Sequence, residues 1–209
     1  TGRPEPAMAA WTHANALCNS EFDPELHRSR VDKLVSTWDV ELTRALPLSS
    51  VGGRELVFIV GMPRSGVNLV ETVLSVHPAV YPGGRNSALS QLVSRLPLQL
   101  GAPWPECMER FKMVQPDPLS RKLLNTWIQG SGHAKQICIS DPLNSRYLGL
   151  IGFLFPLARI VHVTRNPRDT LLSCFAKPLL GQDYAFTSSL EGLACAWTAH
   201  QRRMDHWRR

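Results

Sequence analysis

The sequence predicts an α/β protein in which a parallel sheet lies between two layers of helices. Two apolar runs, at 56–60 and 159–164, each lead through a short loop into a segment with helical periodicity. A shorter apolar run at 136–139 is a third strand candidate. Strands that alternate with helices along a chain form parallel sheets covered on both faces. These observations indicate a three-layer α/β/α fold with a parallel sheet.

The bulk composition is typical of a globular domain. The chain has 209 residues, of which 44% are hydrophobic and 19% charged, and this length is enough for a full α/β core. No apolar run has the length of a membrane span, and the N-terminal segment does not resemble a signal peptide. We therefore expect a cytoplasmic protein with no membrane partner.

The net charge of +6 is explained by a small anionic ligand at least as well as by nucleic acid. The arginines are scattered, and the pairs Arg202-Arg203 and Arg208-Arg209 are interpreted as a solvated basic helix end. The five cysteines lack the spacing of a metal site, so we expect no metal. Cys138, Cys174 and Cys195 lie in apolar strand or helix segments, which predicts buried thiols in a reducing compartment. No nucleic-acid partner is expected.

The N-terminal part is predicted to be a short helical extension. Residues 1–22 are compatible with a helix, and Asp23-Pro24 has the cap and first-turn proline of a helix start. Apolar residues at helical spacing then run from Val31 to Leu42, and residues 47–53 end that helix as a linker. We place a domain boundary there, with a helical segment and linker at 1–53 and the main domain at 54–209.

Helices and breaks alternate with the strands of the main domain. Helices are predicted at 67–75, 86–96, 119–128, 147–155, 166–176 and from about 189 onward. A turn is predicted at 82–84, and the proline-rich stretch 97–118 is expected to be irregular with helix at most in its middle. The last helix is predicted to bury one face, which carries Leu190, Leu193, Ala194, Trp197 and Met204.

The loop after the first strand is a candidate phosphate site. Its spacing Gly61-x4-Gly66 matches a P-loop, in which loop amides and the positive end of a helix point at an anion. The Lys-Ser/Thr pair that should follow is replaced by Val67-Asn68, so no hydroxyl is available for magnesium and the loop cation is Arg64. This combination argues against ATP hydrolysis.

A second candidate phosphate site follows the strand at 159–164. That strand leads into another helix start, where Arg165 can bind a phosphate in bidentate fashion and Ser173 can add a hydroxyl. Two such sites on adjacent parallel strands indicate a ligand with two separated phosphate groups, bound across the carboxyl ends of the strands.

Several segments together resemble the sulfotransferases that use 3′-phosphoadenosine-5′-phosphosulfate (PAPS). The chain is most similar to the bacterial type linked to tetratricopeptide repeats, which is related to the tyrosylprotein sulfotransferases, and the likeness runs from about residue 10 to the end. The segments that carry it are FIVGMPRSG at 58–66, SVHP at 75–78, YLGLI at 147–151, FPLARIVH at 155–162, and RNPRD at 165–169 with Ser173.

The resemblance implies roles for particular residues. Arg64 would hold the 5′-phosphosulfate and stabilise the charge that grows on the bridging oxygen, and Arg165 with Ser173 would hold the 3′-phosphate. The positions implied to contact the nucleotide are Pro63, Arg64, Ser65, Gly66, Val67, Asn68, Arg165 and Ser173. PAPS would be the co-substrate, its bisphosphate PAP the product, and an unidentified hydroxyl or amine the acceptor. The resemblance also implies upstream tetratricopeptide repeats and a domain truncated at its C-terminal end.

The chain departs from the family pattern at positions that bear on catalysis. Val67 and Asn68 replace two threonines, and Asp141 is not followed by the family's lysine. Arg85 stands where similar proteins have the glutamate that acts as general base, and a guanidinium cannot take a proton at neutral pH. A nucleotide-binding relic without turnover therefore remains an alternative. A P-loop kinase-like NTPase is less favoured, because the lysine it needs is absent.

Three nearby groups are conceivable replacements for the missing base: His77, Asp141 and Glu71. A helix-end role is favoured for His77 and a turn role for Asp141. None of the three is favoured as the base.

Overall fold

A four-stranded parallel sheet forms the centre of the part of the chain that the computed structural model describes, residues 4–18, 21–177, 179 and 181–208. The strands are β1 Leu56–Gly61, β2 Val80–Pro82, β3 Gln136–Ile139 and β4 Arg159–Val163. Their spatial order is β2-β3-β1-β4. Predictions for positions 1–3, 19–20 and 209 lie outside the described residues.

The register of the sheet places the two predicted phosphate sites side by side. Phe58 of β1 pairs with Ile139 of β3, and Gly61 at the end of β1 pairs with Val163 at the end of β4. Because the two strands are parallel, the loops that follow them start at the same edge of the sheet.

Nine α-helices surround the sheet within the described residues. They are α1 Pro4–Leu17, α2 Pro24–Thr37, α3 Val40–Ala45, α4 Val67–Leu74, α5 Ala88–Leu100, α6 Asp117–Ile128, α7 Leu148–Leu154, α8 Pro167–Ala176 and α9 Leu190–Trp207. Three 3-10 helices lie at Glu106–Met113, Pro142–Arg146 and Gln182–Ser188. No helix in the described ranges combines the length and apolar character of a membrane span.

The two faces of β1 are buried in different layers, which confirms the predicted three-layer arrangement. Phe58 packs edge-on against Trp127 of α6, with ring centroids 5.5 Å apart. On the opposite face, Ile59 packs with Val67 at the start of α4. A strand buried on both faces requires the continuous apolar run seen at 56–60.

The start of α2 is as predicted, but its end is not. The Asp23 carboxylate accepts the amide hydrogens of Glu25 and Leu26, so it is the N-cap. The single helix predicted up to residue 46 is instead two helices. Asp39 accepts the amide hydrogen of Leu42 and so starts α3, and this cap competes with continuation of α2.

The N-terminal helices contribute to the core of the sheet domain. Leu34, Trp38 and Leu42 belong to the same buried cluster as Phe58. The Trp38 ring also lies 5.9 Å from that of Trp207 at the end of α9. The division of the chain at residue 53 stays a prediction.

Two elements differ from the prediction. β2 was not predicted: the turn expected at 82–84 includes only its last residue, and three residues ending in Pro82 form too short a pattern to indicate an edge strand. α5 continues through Pro97 to Leu100, because Gly101 in the left-handed region closes it and donates its amide to the Pro97 carbonyl. The stretch 97–118 contains the predicted helix in its middle, but α5 and α6 also extend into its two ends, which the prediction of an irregular stretch did not include.

The predicted buried face of α9 is partly wrong. Leu193 and Met204 are buried as expected, but Leu190 is 59% exposed and Ala194 is also exposed. The buried stripe instead includes the polar residues His200 and Arg203. A hydrophobic pattern cannot identify such a stripe, because it counts polar side chains as solvent-facing.

Candidate phosphate-binding site

The loop at 62–66 between β1 and α4, the phosphate loop, is the first candidate phosphate site. Gly61 allows this loop to leave β1 next to β4. A Cβ atom at this position would lie 2.6 Å from the Val163 carbonyl oxygen and 2.7 Å from Ser65 Oγ, which is too close for any larger residue. The sequence pattern identifies this glycine by its spacing. The structure gives the physical reason, which is the close approach of a neighbouring strand.

Arg64 occupies a strained backbone conformation in the middle of the loop. Its φ angle is 66°, in the left-handed region that costs an L-residue about 1–2 kcal/mol. Its exposed side chain turns toward α8, where Nε donates a hydrogen bond of 3.2 Å to Ser173 Oγ. Strain of this kind persists where the surroundings fix it and is common at binding sites.

The start of α4 presents unsatisfied polar groups. Gly66, with φ 109°, is its N-cap and provides no side-chain bond to the first-turn amides. Ser65 is buried, and its Oγ has no hydrogen-bond partner within the described ranges. These donors and the positive end of the eight-residue helix α4 form a place for an oxyanion.

The remaining loop residues divide between packing and exposure. Val67 is 3% exposed, so its side chain belongs to the core and only its amide can meet a ligand. Asn68 is exposed. Pro63 is buried, and its carbonyl accepts a hydrogen bond of 3.3 Å from the Cys174 thiol, which fixes the loop to α8.

The second predicted site lies at the start of α8. Asn166 caps this helix by accepting the amide hydrogen of Arg168. Arg165 is exposed and forms a 3.6 Å ion pair with Asp169, which is itself 59% exposed. Exposed pairs contribute at most about 1 kcal/mol, so the Arg165 guanidinium can exchange this partner for an anion.

The structure brings the two predicted halves into direct contact. Arg64 comes from the first and Ser173 from the second, 109 positions apart. Both loops open at the carboxyl edge of β1 and β4.

Arg85, at the position where a base was expected, has a partner that the sequence did not reveal. Its guanidinium donates a hydrogen bond to Tyr184 Oη, and its Cζ lies 5.3 Å from the centre of that ring. Burial raises the pKa of Tyr184 above its usual value, although the nearby Arg85 charge opposes this. No local signal marks Tyr184, because the contact spans 99 positions.

Glu71 holds three elements together beside this position. One carboxylate oxygen accepts the amide hydrogen of Gly84 at 2.8 Å, and the other accepts the Ser140 hydroxyl at 2.5 Å. The side chain therefore ties α4 to the ends of β2 and β3. His77 and Asp141 each accept a nearby backbone amide hydrogen and so have local structural roles.

Four of the five thiols are buried, including those of Cys138, Cys174 and Cys195 as predicted, whereas Cys18 is exposed. Cys107, Cys138, Cys174 and Cys195 are buried and unpaired. Burial raises the pKa of Cys174 to about 11, so the thiol stays protonated and unreactive at neutral pH. Within the described ranges, no group of three or more His, Cys, Asp or Glu side chains is arranged to hold a metal ion.

The chain matches one family model and several curated proteins. A model described as "Sulfotransferase family" matches residues 56–209. An uncharacterized protein of Aquifex aeolicus is 26% identical over 204 residues, covering 93% of this chain and 27% of that protein. A putative protein-tyrosine sulfotransferase of Caenorhabditis briggsae is 27% identical over 154 residues, covering 72% and 53%.

The protein-tyrosine sulfotransferase of Drosophila melanogaster is 26% identical over 131 residues, covering 58% of this chain and 25% of that protein. The chain thus spans about a quarter to a half of the length of these curated relatives.

Proposed function

The chain belongs to the sulfotransferase family, and from this premise we propose that it binds PAPS and transfers the sulfuryl group to an acceptor hydroxyl or amine. The observation that carries the proposal is the Arg64–Ser173 hydrogen bond. It joins two separately predicted phosphate sites at the carboxyl edge of the sheet. A nucleotide with phosphates at both ends of its ribose has the matching charge pattern.

The first half of the site fits the 5′-phosphosulfate. The first-turn amides of α4, the unpartnered Ser65 hydroxyl and the exposed Arg64 guanidinium are donors for an oxyanion. The buried apolar side chain of Val67 offers no magnesium ligand, which favours a donor that is used without a metal over ATP.

The second half of the site fits the 3′-phosphate. The Arg165 guanidinium is exposed and forms a surface ion pair with Asp169, and Ser173 presents a hydroxyl that already contacts Arg64. Together Arg64 and Arg165 supply two positive charges to a strongly anionic ligand.

PAPS would supply the sulfuryl group and a bisphosphate leaving group. Arg64 would stabilise the negative charge that develops on the bridging oxygen as the bond between this oxygen and the sulfur of the sulfuryl group breaks. The loop amides would hold the reacting group in line with the acceptor, so most of the rate enhancement would come from positioning and charge neutralisation.

A second candidate function is nucleotide binding without turnover. The observation that favours it is the Arg85–Tyr184 contact, which places a paired cation where a base was expected. In this case the nucleotide site would be kept while proton transfer from the acceptor is lost. Linkage to upstream tetratricopeptide repeats also stays a prediction.

Calorimetry with adenosine 3′,5′-bisphosphate tests nucleotide binding. We expect binding to the wild-type protein and at least tenfold weaker binding to Arg165→Met. Arg54→Met, which removes an exposed charge just before β1, is the matched control and should bind as the wild type does. Tight binding of ATP–magnesium together with no bisphosphate binding would refute both candidate functions.

Turnover of labelled PAPS then separates the enzyme from the relic. Tyrosine-containing peptides are the first acceptors to test, because two of the relatives are named as protein-tyrosine sulfotransferases. If the wild type binds nucleotide without turnover, Arg85→Glu should restore activity, since Tyr184 can also donate a hydrogen bond to a carboxylate. Arg85→Gln is the matched control. Turnover by the wild type would refute the relic, and equal inactivity of the wild type and of the Glu and Gln variants with every acceptor would refute Arg85 as the cause of the lost turnover.

A further inference from the structure

A cavity of about 680 Å³ lies between α2, α9 and the 3-10 helix Gln182–Ser188, and none of the predicted nucleotide-binding residues lines it. Its volume is in the range of cavities that enclose small organic ligands, about 300–1,000 Å³. The cavity has two kinds of wall, one cationic and one aromatic.

Arg203 is the most buried residue of the cationic wall. It is 7% exposed, and its Nε has no hydrogen-bond partner within the described ranges. No carboxylate of the described part of the chain forms an ion pair with it. The preceding Arg202, by contrast, is exposed and pairs with Asp32. A buried guanidinium without a counter-charge is costly, and an anion removes that cost.

The other charged groups of the wall do not neutralise the positive charge of Arg203. Arg146 is paired with Asp183 at 2.5 Å, and the Asp23 carboxylate is occupied by amides of α2. His27 Nε2 is buried and has no partner in the described part of the chain. The remaining charged groups around the cavity, Arg30, Lys33 and Glu21, are exposed.

The pKa values of Arg203 and His27 are both lowered, in part by the positive charges of neighbouring arginines. Burial, followed by the charge of Arg146, lowers the pKa of Arg203 to about 9. Burial, followed by the charge of Arg203, lowers the pKa of His27 to about 4. His27 is therefore neutral at pH 7, and a bound anion would raise both values.

The aromatic wall suits a flat apolar group. Phe22 packs edge-on against Phe186, with centroids 6.3 Å apart, and Trp104 packs edge-on against Tyr147 at 6.0 Å. All four residues line the cavity. A ligand ring that packs against this wall would bury apolar surface, while an anionic group on the same ligand could reach Arg203.

We propose that this cavity is a binding site for a small organic anion, in which Arg203 pairs with the carboxylate or phosphate and the aromatic wall holds an apolar body. The site is independent of the proposed sulfuryl transfer. Its cationic end lies close to the phosphate loop, because His27 and Arg203 also line a void of about 20 Å³ that reaches Gly61, Met62 and Pro63. The test must therefore distinguish the two sites.

Calorimetry with three probes tests the proposal: phenylacetate, phenyl phosphate and the neutral benzyl alcohol. We expect both anions to bind the wild type at least tenfold more tightly than benzyl alcohol. Arg203→Met, which keeps an apolar chain in place of the guanidinium, should weaken phenylacetate binding at least tenfold. Arg202→Met on the same helix is the matched control and should bind as the wild type does.

A second measurement on the wild-type chain covers the case in which Arg203→Met does not fold. Phenylacetate should shift the indole N–H resonance of Trp104, assigned with Trp104→Phe, and leave that of the core residue Trp127 in place. Equal affinity for anions and benzyl alcohol, no binding at millimolar concentration, or unchanged binding by folded Arg203→Met would each overturn the proposal. Anion binding that is lost in Arg64→Asn and retained in Arg203→Met would assign the probes to the phosphate loop and overturn it as well.

Discussion

Replacing Arg64 by asparagine should make the protein more stable and its nucleotide binding weaker. The backbone at Arg64 has a φ angle of 66°, a conformation that costs an ordinary L-residue about 1–2 kcal/mol and that asparagine tolerates. The substitution also removes the exposed hydrogen bond to Ser173, which offsets about 0.5–1 kcal/mol of this gain. We therefore expect a net gain of about 1 kcal/mol, or about 2–4 °C in Tm for a chain of this size.

The effect on binding should have the opposite sign. A hydrogen bond from a guanidinium to a phosphate contributes about 1.5–3 kcal/mol, so its loss corresponds to about 10- to 150-fold weaker binding of adenosine 3′,5′-bisphosphate. Differential scanning calorimetry measures the stability, and isothermal titration calorimetry measures the binding.

Two control variants separate charge from strain. Arg64→Lys keeps the charge and the strained backbone, so its stability should stay close to that of the wild type and its binding should fall less than in Arg64→Asn. Arg54→Asn removes the same charge just before β1 and should change neither quantity. The reasoning is refuted if Arg64→Asn binds the bisphosphate as tightly as the wild type, or if Arg54→Asn weakens binding equally.

Three further changes test the fold and the site. Gly61→Ala places a Cβ 2.6 Å from the Val163 carbonyl oxygen and should cost about 3 kcal/mol in chemical denaturation. The matched Gly152→Ala, whose Cβ meets no atom within 4 Å, should instead gain up to about 1 kcal/mol in its helix, and equal effects would contradict the close-approach argument. Burial lowers the pKa of His200 to about 3, so the native state keeps it neutral while the unfolded state takes up a proton below about pH 6.5. His200 should therefore contribute about 2 kcal/mol to the fall in stability between pH 7 and pH 5, in addition to the contribution of His27, and an unchanged pH profile in His200→Gln would refute this assignment. Glu71→Ala should lose about 2 kcal/mol with its two hydrogen bonds and Glu71→Gln less than half of that; a Gln variant that stays stable but loses all PAPS turnover would identify Glu71 as a base instead.

The elements that could be predicted are those whose signals are local. β3 begins and ends where the apolar run at 136–139 places it, and β1 and β4 differ from their predicted ends by one residue. Asp23 acts as a cap because a cap contacts amides only two or three positions ahead. β2 was missed because a three-residue edge strand is defined by its pairing with β3, not by its own pattern.

The burial of polar residues on α9 is not predictable from its sequence pattern. The pair Arg202-Arg203 was interpreted as part of a solvated helix end, which is correct for Arg202 and wrong for Arg203. Adjacent helix residues lie about 100° apart around the axis, so one can face solvent while the next faces α2. Only the packing of α9 decides which of the two is buried.

The order of residues along the chain was enough to predict two phosphate-binding loops and to indicate the family to which the chain belongs. Each loop is a continuous strand–loop–helix segment, and its amides and guanidinium are placed by short-range geometry. Tertiary structure decided how the groups combine. The packing of the helices and the sheet brings Arg64 to Ser173 across 109 positions, Arg85 to Tyr184 across 99, and Arg203 into a cavity with His27. Contacts between distant positions depend on the packing of whole elements, and no local pattern records them.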